Sequence, residues 1–374
     1  MADEIMSRRA LNRATLARQM LLTRERVKPV AAVERLAMMQ AQVPRPPFVG
    51  LWTRVEGFER RHLVEAIERR EIVRGTMLRG TLHLLSRKDY LTFRTTMQRM
   101  LSAGAIAILK DRAEGADVAK LVAAARAHFK EAPRTFAELR KHLQSKFEEV
   151  DERAMGYLVR TNLPLVMVPE PEAKWAYPTT ADFTLAESWL GQPISPKDAG
   201  DALALRYLAA FGPATGDDFK TWSALANGRA IVEGLRKTLH VVRDERGREL
   251  FDLPKAPRPG EDVEAPVRFV PDFDNLVLAH ADRTRLIANE HKPAMSTKNL
   301  QIPATFLVDG FVAGLWTCER ARKAATLVLK PFATLAKPVR RALAEEGEPL
   351  LRFLEPDAAT FAIEIESGTK RTRA

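Results

Sequence analysis

The sequence predicts an α+β fold of three successive units, each of helices closed by a hairpin, followed by a β-rich C-terminal region. Three observations carry this. Helical apolar stripes recur three times, each ending in short strand-like runs. A stretch rich in Pro, Gly and acid, residues 255–266, reads as a linker after the third unit. Beyond it apolar runs of strand length dominate, and Asp309 followed by Gly310 between two of them is a tight-hairpin signal.

The first unit covers residues 8–95. Helices are predicted over 11–22, 30–40 and 60–72, with Val33, Leu36, Ala37 and Gln40 on one stripe of the second. Residues 76–85 alternate as a strand does. The second unit, 115–185, begins with a helix over 118–129. Thr135 and Glu138 make a capping box ahead of the stripe Phe136, Leu139, Leu143. Asp151 opens a helix over 152–161, ended by Pro164, and strands follow at 165–168 and 175–178. The third unit, 196–253, has a helix over 201–211 stopped by Gly212 and Pro213. A second follows at 215–224, capped by Thr215, and a third at 229–235. Strands at 239–242 and 249–253 flank a turn at 245–247. Helices followed by a hairpin form the winged-helix pattern, which places a helix against duplex DNA. The region 267–366 carries strands at 267–270, 305–308, 311–316, 325–329 and 360–365, with a helix over 337–346. Residues 367–374 read as a disordered basic tail.

A chain of 374 residues makes two or three domains. Lys and Arg number 59 against 48 Asp and Glu, a net charge of +11, which favours a polyanion such as nucleic acid or an acidic membrane surface. An arginine-rich coding bias gives the same balance. The single cysteine, Cys318, excludes a disulfide within the chain and a cysteine metal cluster, and suits a reducing cytoplasm. No apolar run has the length of a membrane span, and the first residues lack the pattern of a signal peptide, so no membrane association is expected. No Gly-rich phosphate loop, GxSxG or HExxH occurs, and neither cofactor nor metal is expected.

Gln40 and Gln42 are the candidate catalytic residues. An unpaired buried amide costs about 1–3 kcal/mol, so Gln40 on an apolar stripe must find partners or line a pocket. In a continuous helix the two side chains would point about 200° apart. Pro44 drives Val43 out of the helical region, which ends the helix near Gln40 or Ala41 and lets the next residues run extended. Both amides can then converge on one cavity. The plainer alternative has Gln40 bonded to backbone and Gln42 solvated at a helix end. On the expected strand through residues 78–84, Arg79, Thr81 and His83 share a face opposite Leu78, Leu82 and Leu84. That polar face suits phosphate or a base edge, although a solvated sheet face alternates in the same way. Asp272 and Asp274, with His280 and Asp282 beyond, lack the second cluster a metal site needs. Asp274 or Asn275 reads as the N-cap of a helix over 276–281. Arg283 and Arg285 follow, within reach of phosphate.

These residues fall in QAQVPRPPFVGLWTRVEGF, MLRGTLHLLSRKDY, FVPDFDNLVLAHADRTR and FLVDGFVAGLWT. Together these segments resemble the AlkZ-like winged-helix DNA glycosylases, the relatives of AlkZ and AlkX, over residues 40–317. The resemblance implies three tandem winged helices and a β-rich C-terminal part around duplex DNA. The family signature is glutamine, an apolar residue, then glutamine or aspartate. It falls on Gln40, Ala41 and Gln42, the AlkZ-like form with a small middle residue. The implied activity is excision of purines alkylated at ring nitrogens, and unhooking of interstrand crosslinks, in base excision repair. It also implies DNA contact near the lesion by Arg79 and His83, and a C-terminal hairpin in the minor groove. With Thr81, Arg283 and Arg285 these complete the expected DNA-binding set.

An N7-alkylated guanine is cationic and already a good leaving group. Two amides can position the attacking water and turn their carbonyl dipoles toward the sugar cation. No lysine stands near the motif, so a monofunctional enzyme is expected, acting as a monomer on duplex DNA. The competing readings are a non-catalytic winged-helix DNA-binding regulator and a scaffold whose winged helices bind protein.

Overall fold

Ser7 starts the first helix, Arg8–Arg18, by accepting a hydrogen bond from the Ala10 amide at 3.0 Å. The computed structural model describes residues 4–170, 172–295 and 302–366, so the basic tail at 367–374 lies outside the described residues. This helix does not pack as the head of the first unit. Buried Arg18 makes a two-armed ion pair with buried Asp252 at 2.7 and 2.8 Å, and Gln19 donates to the Ala210 carbonyl. Asn12 donates to the carbonyls of Arg285 and Gly310. Arg13 pairs with Asp309. The strand Ile5–Met6 adds in parallel to His240–Asp244, which pairs with Glu249–Asp252. The N-terminus therefore joins the third unit to the C-terminal region.

The expected helix over 30–40 stops early. It runs Pro29–Arg35, and Ala37 and Met38 then take left-handed φ of 53° and 66°. Two such residues cannot continue a right-handed helix. The chain turns back as the strand Met39–Gln40, antiparallel to Leu82–Ser86, with Gln40 opposite His83. Gln40 thus lies on a strand edge, not on a helical stripe. The residues after Gln42 do not run extended either. They form the helix Arg45–Trp52, with prolines in its first turn, where a missing N–H costs nothing.

The single strand expected over 76–85 is two strands, Ile72–Thr76 and Leu82–Ser86, joined by a tight turn with Arg79 (φ 55°) and Gly80 (φ 71°) left-handed. Ser86 then caps a 23-residue helix, Arg87–Leu109, that the sequence reading missed. Downstream, the Thr135–Glu138 capping box and the Asp151 cap of Glu152–Asn162 form as expected. Leu165–Met167 pairs with Phe183–Leu185, and no strand forms at 175–178. Both pairs enter one five-stranded sheet through the contact Gly75 to Val166, so the first two units share a sheet. Gly75 is required there, because a Cβ would lie 2.7 Å from the Tyr90 ring and 3.0 Å from the Leu165 carbonyl.

The third unit follows its predicted order: Gly200–Phe211, Gly216–Ser223 capped by Thr215, Gly228–Gly234, then the hairpin. A second five-stranded sheet makes the C-terminal region, in the order Thr360–Ile365, Ala324–Pro331, Phe311–Ala321, Thr305–Val308, Arg268–Val270. Lys337–Leu354 covers it through Leu343, Leu350, Leu351 and Leu354, and runs beyond the predicted end at 346. Among the described residues no helix is long and apolar enough to cross a membrane.

Candidate active site

The motif Gln40-Ala41-Gln42 continues the strand edge and is held from three directions. Arg79 Nη2 donates to Gln40 Oε1 at 2.9 Å. The left-handed backbone at Arg79 aims its guanidinium there, and the same group donates to the Trp222 carbonyl at 2.5 Å and to Asn275 Oδ1 at 3.3 Å. Asn275 in turn donates to the Met38 carbonyl at 2.9 Å, at the bend that precedes the motif. Next, the Ala41 amide donates to the Leu82 carbonyl, and the Leu82 amide donates to Gln42 Oε1 at 3.1 Å. The Gln42 side chain thus supplies the next rung of the ladder. Finally, Arg74 reaches up from the sheet, Nε to the Ala41 carbonyl at 2.8 Å and Nη2 to the Gln42 carbonyl at 3.2 Å.

Arg74 is 3% exposed and has no carboxylate partner; the Tyr177 ring lies 5.1 Å from its guanidinium. Burial pushes its pKa down to about 10, so it stays charged at neutral pH. Arg79 is also pushed down to about 10, by burial first and by the nearby Arg283 cation second. Two cations without counter-ions among the described residues therefore flank the motif. The loop facing them is fixed by a compensated pair. Arg54 and Asp274, 1% and 5% exposed, meet through two bonds of 2.9 Å, and Arg45 reaches Asp272 at 2.9 Å.

Buried Gln40 and exposed Gln42 stand at different spaces. Gln42 opens on a cleft of about 1000 Å³ walled by Arg74, Arg140, Arg153, Arg160, Lys174 and Trp175. Across Tyr157, a second cleft of about 910 Å³ reaches Arg79 and Gly80. Between Gln40 and the 271–275 loop there is about 10 Å³, the size of a single water site.

The other predicted residues separate. Thr81 is half-buried and its hydroxyl donates to the Leu78 carbonyl. His83 is fully buried beside Gln40, with Nδ1 on the Thr81 carbonyl at 3.1 Å. Burial, then the Arg79 charge, lowers its pKa to about 3, so it is neutral, and because it is sealed from solvent it cannot reach the expected phosphate. Arg285 is also out of reach of the expected phosphate, because it is buried and donates to the Pro213 carbonyl at 2.9 Å. Arg283 is half-buried, and among the described residues no hydrogen bond or ion pair engages its guanidinium. Asp274 caps only the short turn Asn275–Val277, not a helix to 281. Among the described residues no three His, Cys, Asp or Glu side chains gather as a metal site. Sequence reasoning missed Arg74 and Arg54. The signal for Arg74 was a charge inside the apolar run Ile72–Thr76; Arg54 offered none.

The family model described as DNA glycosylase AlkZ-like matches residues 33–353. A curated relative, the interstrand DNA cross-link repair glycosylase of Streptomyces sahachiroi, is 27% identical over 186 residues. That match covers 46% of this chain and 48% of the relative, so about half the length of each is aligned. The solved structure of Streptomyces sahachiroi DNA glycosylase AlkZ superposes with a TM-score of 0.75 at 22% identity, over 97% of this chain and 100% of that one. The likeness in structure establishes the shared α+β fold.

Proposed function

The chain belongs to the AlkZ-like DNA glycosylase family, and from that premise we propose that it hydrolyses the N-glycosidic bond of cationic, N7-alkylated purines in duplex DNA. Gln40 and Gln42 are the catalytic residues of this reading. One observation carries it: both amides are fixed along one strand edge, Gln42 at the mouth of an arginine-walled cleft and Gln40 beside a single-water gap. A residue that merely ends an element does not attract two arginines and a ladder amide.

The chemistry suits neutral side chains. The lesion's own charge drives departure, and the site has only to hold the lesion and place a water. The single-water gap beside Gln40 supplies that place. The cleft before Gln42 takes the duplex, with Arg153 and Arg160 toward phosphate, and Arg283, near Arg79, makes a further phosphate contact. Its volume of about 1000 Å³ suits a lesion that cannot be flipped freely, so crosslinks are substrates of the same site. The enzyme is monofunctional in this reading, because Lys174, the lysine on the cleft wall, is tied to Glu355 at 2.8 Å. It acts as a monomer in a reducing cytoplasm, where the unpaired Cys318 is stable.

The test is release of free 7-methylguanine from alkylated duplex DNA by the purified protein. Gln40→Ala and Gln42→Ala should abolish release, and Gln42→Asp should retain part of it. Tight DNA binding without base release would favour the non-catalytic regulator, and efficient uracil excision would contradict the mechanism.

A further inference from the structure

Amide orientation is decided by what each amide faces. An amide oxygen only accepts, and its NH₂ only donates. Arg79 is donor-only, and so is the Leu82 amide. Turning either glutamine over would set an NH₂ against another N–H, so Oε1 of Gln40 must face Arg79 and Oε1 of Gln42 must face Leu82. No hydrogen bond engages either Nε2, and neither is among the sealed unpartnered atoms of the described residues. The groups left to the solvent side are the two NH₂ groups.

Resting on the glycosylase reading, we infer that Gln40 meets the damaged nucleotide as a hydrogen-bond donor through Nε2, and that Arg79 is the positioning residue that fixes this orientation. The guanidinium does more than aim the amide. A cation on Oε1 draws electron density from the amide and makes its N–H a stronger donor. The natural acceptors are ring nitrogens and oxygens of the departing purine, which gain electron density as the glycosidic bond breaks. Arg79 itself is steered by the Trp222 carbonyl and by Asn275, which also ties down the bend at Met38. The arrangement is a relay of fixed contacts from the third unit through Arg79 to Gln40.

The decisive variant is Gln40→Glu. It keeps the shape and the contact with Arg79 but has no N–H to donate. Single-turnover release of 7-methylguanine should fall roughly a hundredfold, as for loss of one preorganised donor, while the dissociation constant for the same DNA stays within about threefold. Release at or above the wild-type rate would overturn the inference. Arg79→Met should slow release, Arg79→Lys should restore part of it, and Arg79→Met combined with Gln40→Ala should lose no more than Gln40→Ala alone. Additive losses would show that Arg79 acts independently of Gln40. A readout without turnover completes the test. In glutamine-labelled protein, the Gln40 side-chain amide resonance should move on Arg79→Met, and an unmoved resonance would refute the positioning role. If the wild type releases no base, the glycosylase reading fails, and the resonance still decides whether Arg79 orients Gln40.

Discussion

Asp274→Ala leaves the Arg54 guanidinium buried beside two neutral carbonyls, those of Gln19 at 3.1 Å and Gly50 at 3.0 Å, with no negative charge to answer it. Both pair members are almost fully buried, and both bonds are 2.9 Å. Breaking such a pair from one side costs about 3–5 kcal/mol. Loss of the bond from the Leu276 amide to Asp274 Oδ1 adds about 1 kcal/mol, as loss of a cap does. With 374 residues and an unfolding entropy of about 2.1 cal/mol/K each, a loss of about 4–6 kcal/mol lowers the melting temperature by about 5–8 °C. Scanning calorimetry measures it directly. Arg54→Met in the Asp274→Ala background should recover much of the loss, because no charge is then stranded. A fall of under 1 °C for Asp274→Ala, or a double variant that loses the sum of both singles, would refute the reasoning. The loop also carries Asn275, so base release should fall with stability.

Three further outcomes follow from single residues. His83 has a folded pKa lowered to about 3, so the unfolded chain binds its proton more tightly and stability present above about pH 6.5 is lost as pH falls toward 3. At pH 5 the His83 share is about 2 kcal/mol, and urea titrations of His83→Phe should show a shallower acid loss than wild type. Gly75→Ala should destabilise by about 1–3 kcal/mol, because its methyl meets the Leu165 backbone at the joint of the shared sheet; an unchanged urea midpoint would place that joint elsewhere. Arg283→Ala should weaken DNA binding across sequences and reduce the salt slope of log affinity by about one, whereas Arg285→Ala should cost stability and leave that slope alone.

The features legible in the sequence were those set within a few residues. Thr135 with Glu138, Asp151, and Thr215 cap their helices because a cap needs only the next turn. Asp309 and Gly310 take φ of 49° and 80° in the hairpin between Val308 and Phe311, as a two-residue turn requires. The features set by distant partners were hidden. Ala37 and Met38 carry no sign of a left-handed backbone, so Gln40 read as helical. Arg283 and Arg285 are the same residue two positions apart, yet Pro213 buries one and leaves the other half-open. The pairing of Gln40 with Gln42 was physically possible from spacing, and the resemblance to a family made it a specific expectation. Only the fold supplied Arg79 as the group that holds the Gln40 amide, the Leu82 N–H as the one that holds the Gln42 amide, and Arg74 as the one that holds the main chain between them.

The distribution of counter-ions explains what the site awaits. Deeply buried Arg18 and Arg54 each have a carboxylate, Asp252 and Asp274. Arg74, Arg79 and Arg283, the cations around the motif, have none among the described residues. One uncompensated charge about 8 Å from a developing sugar cation opposes it by about 2 kcal/mol at an effective dielectric of 20. Three such charges would cancel much of what the amides contribute, unless the substrate brings its own anions. Duplex DNA does so, with phosphodiesters on both sides of the lesion. The free nucleoside 7-methyl-2′-deoxyguanosine carries the same cationic base and the same bond without those phosphates. It should therefore be a far poorer substrate than the same lesion in duplex DNA, compared at equal lesion concentration below saturation. Equal hydrolysis of the two would show that the arginines serve binding alone and leave the bond-breaking step unopposed.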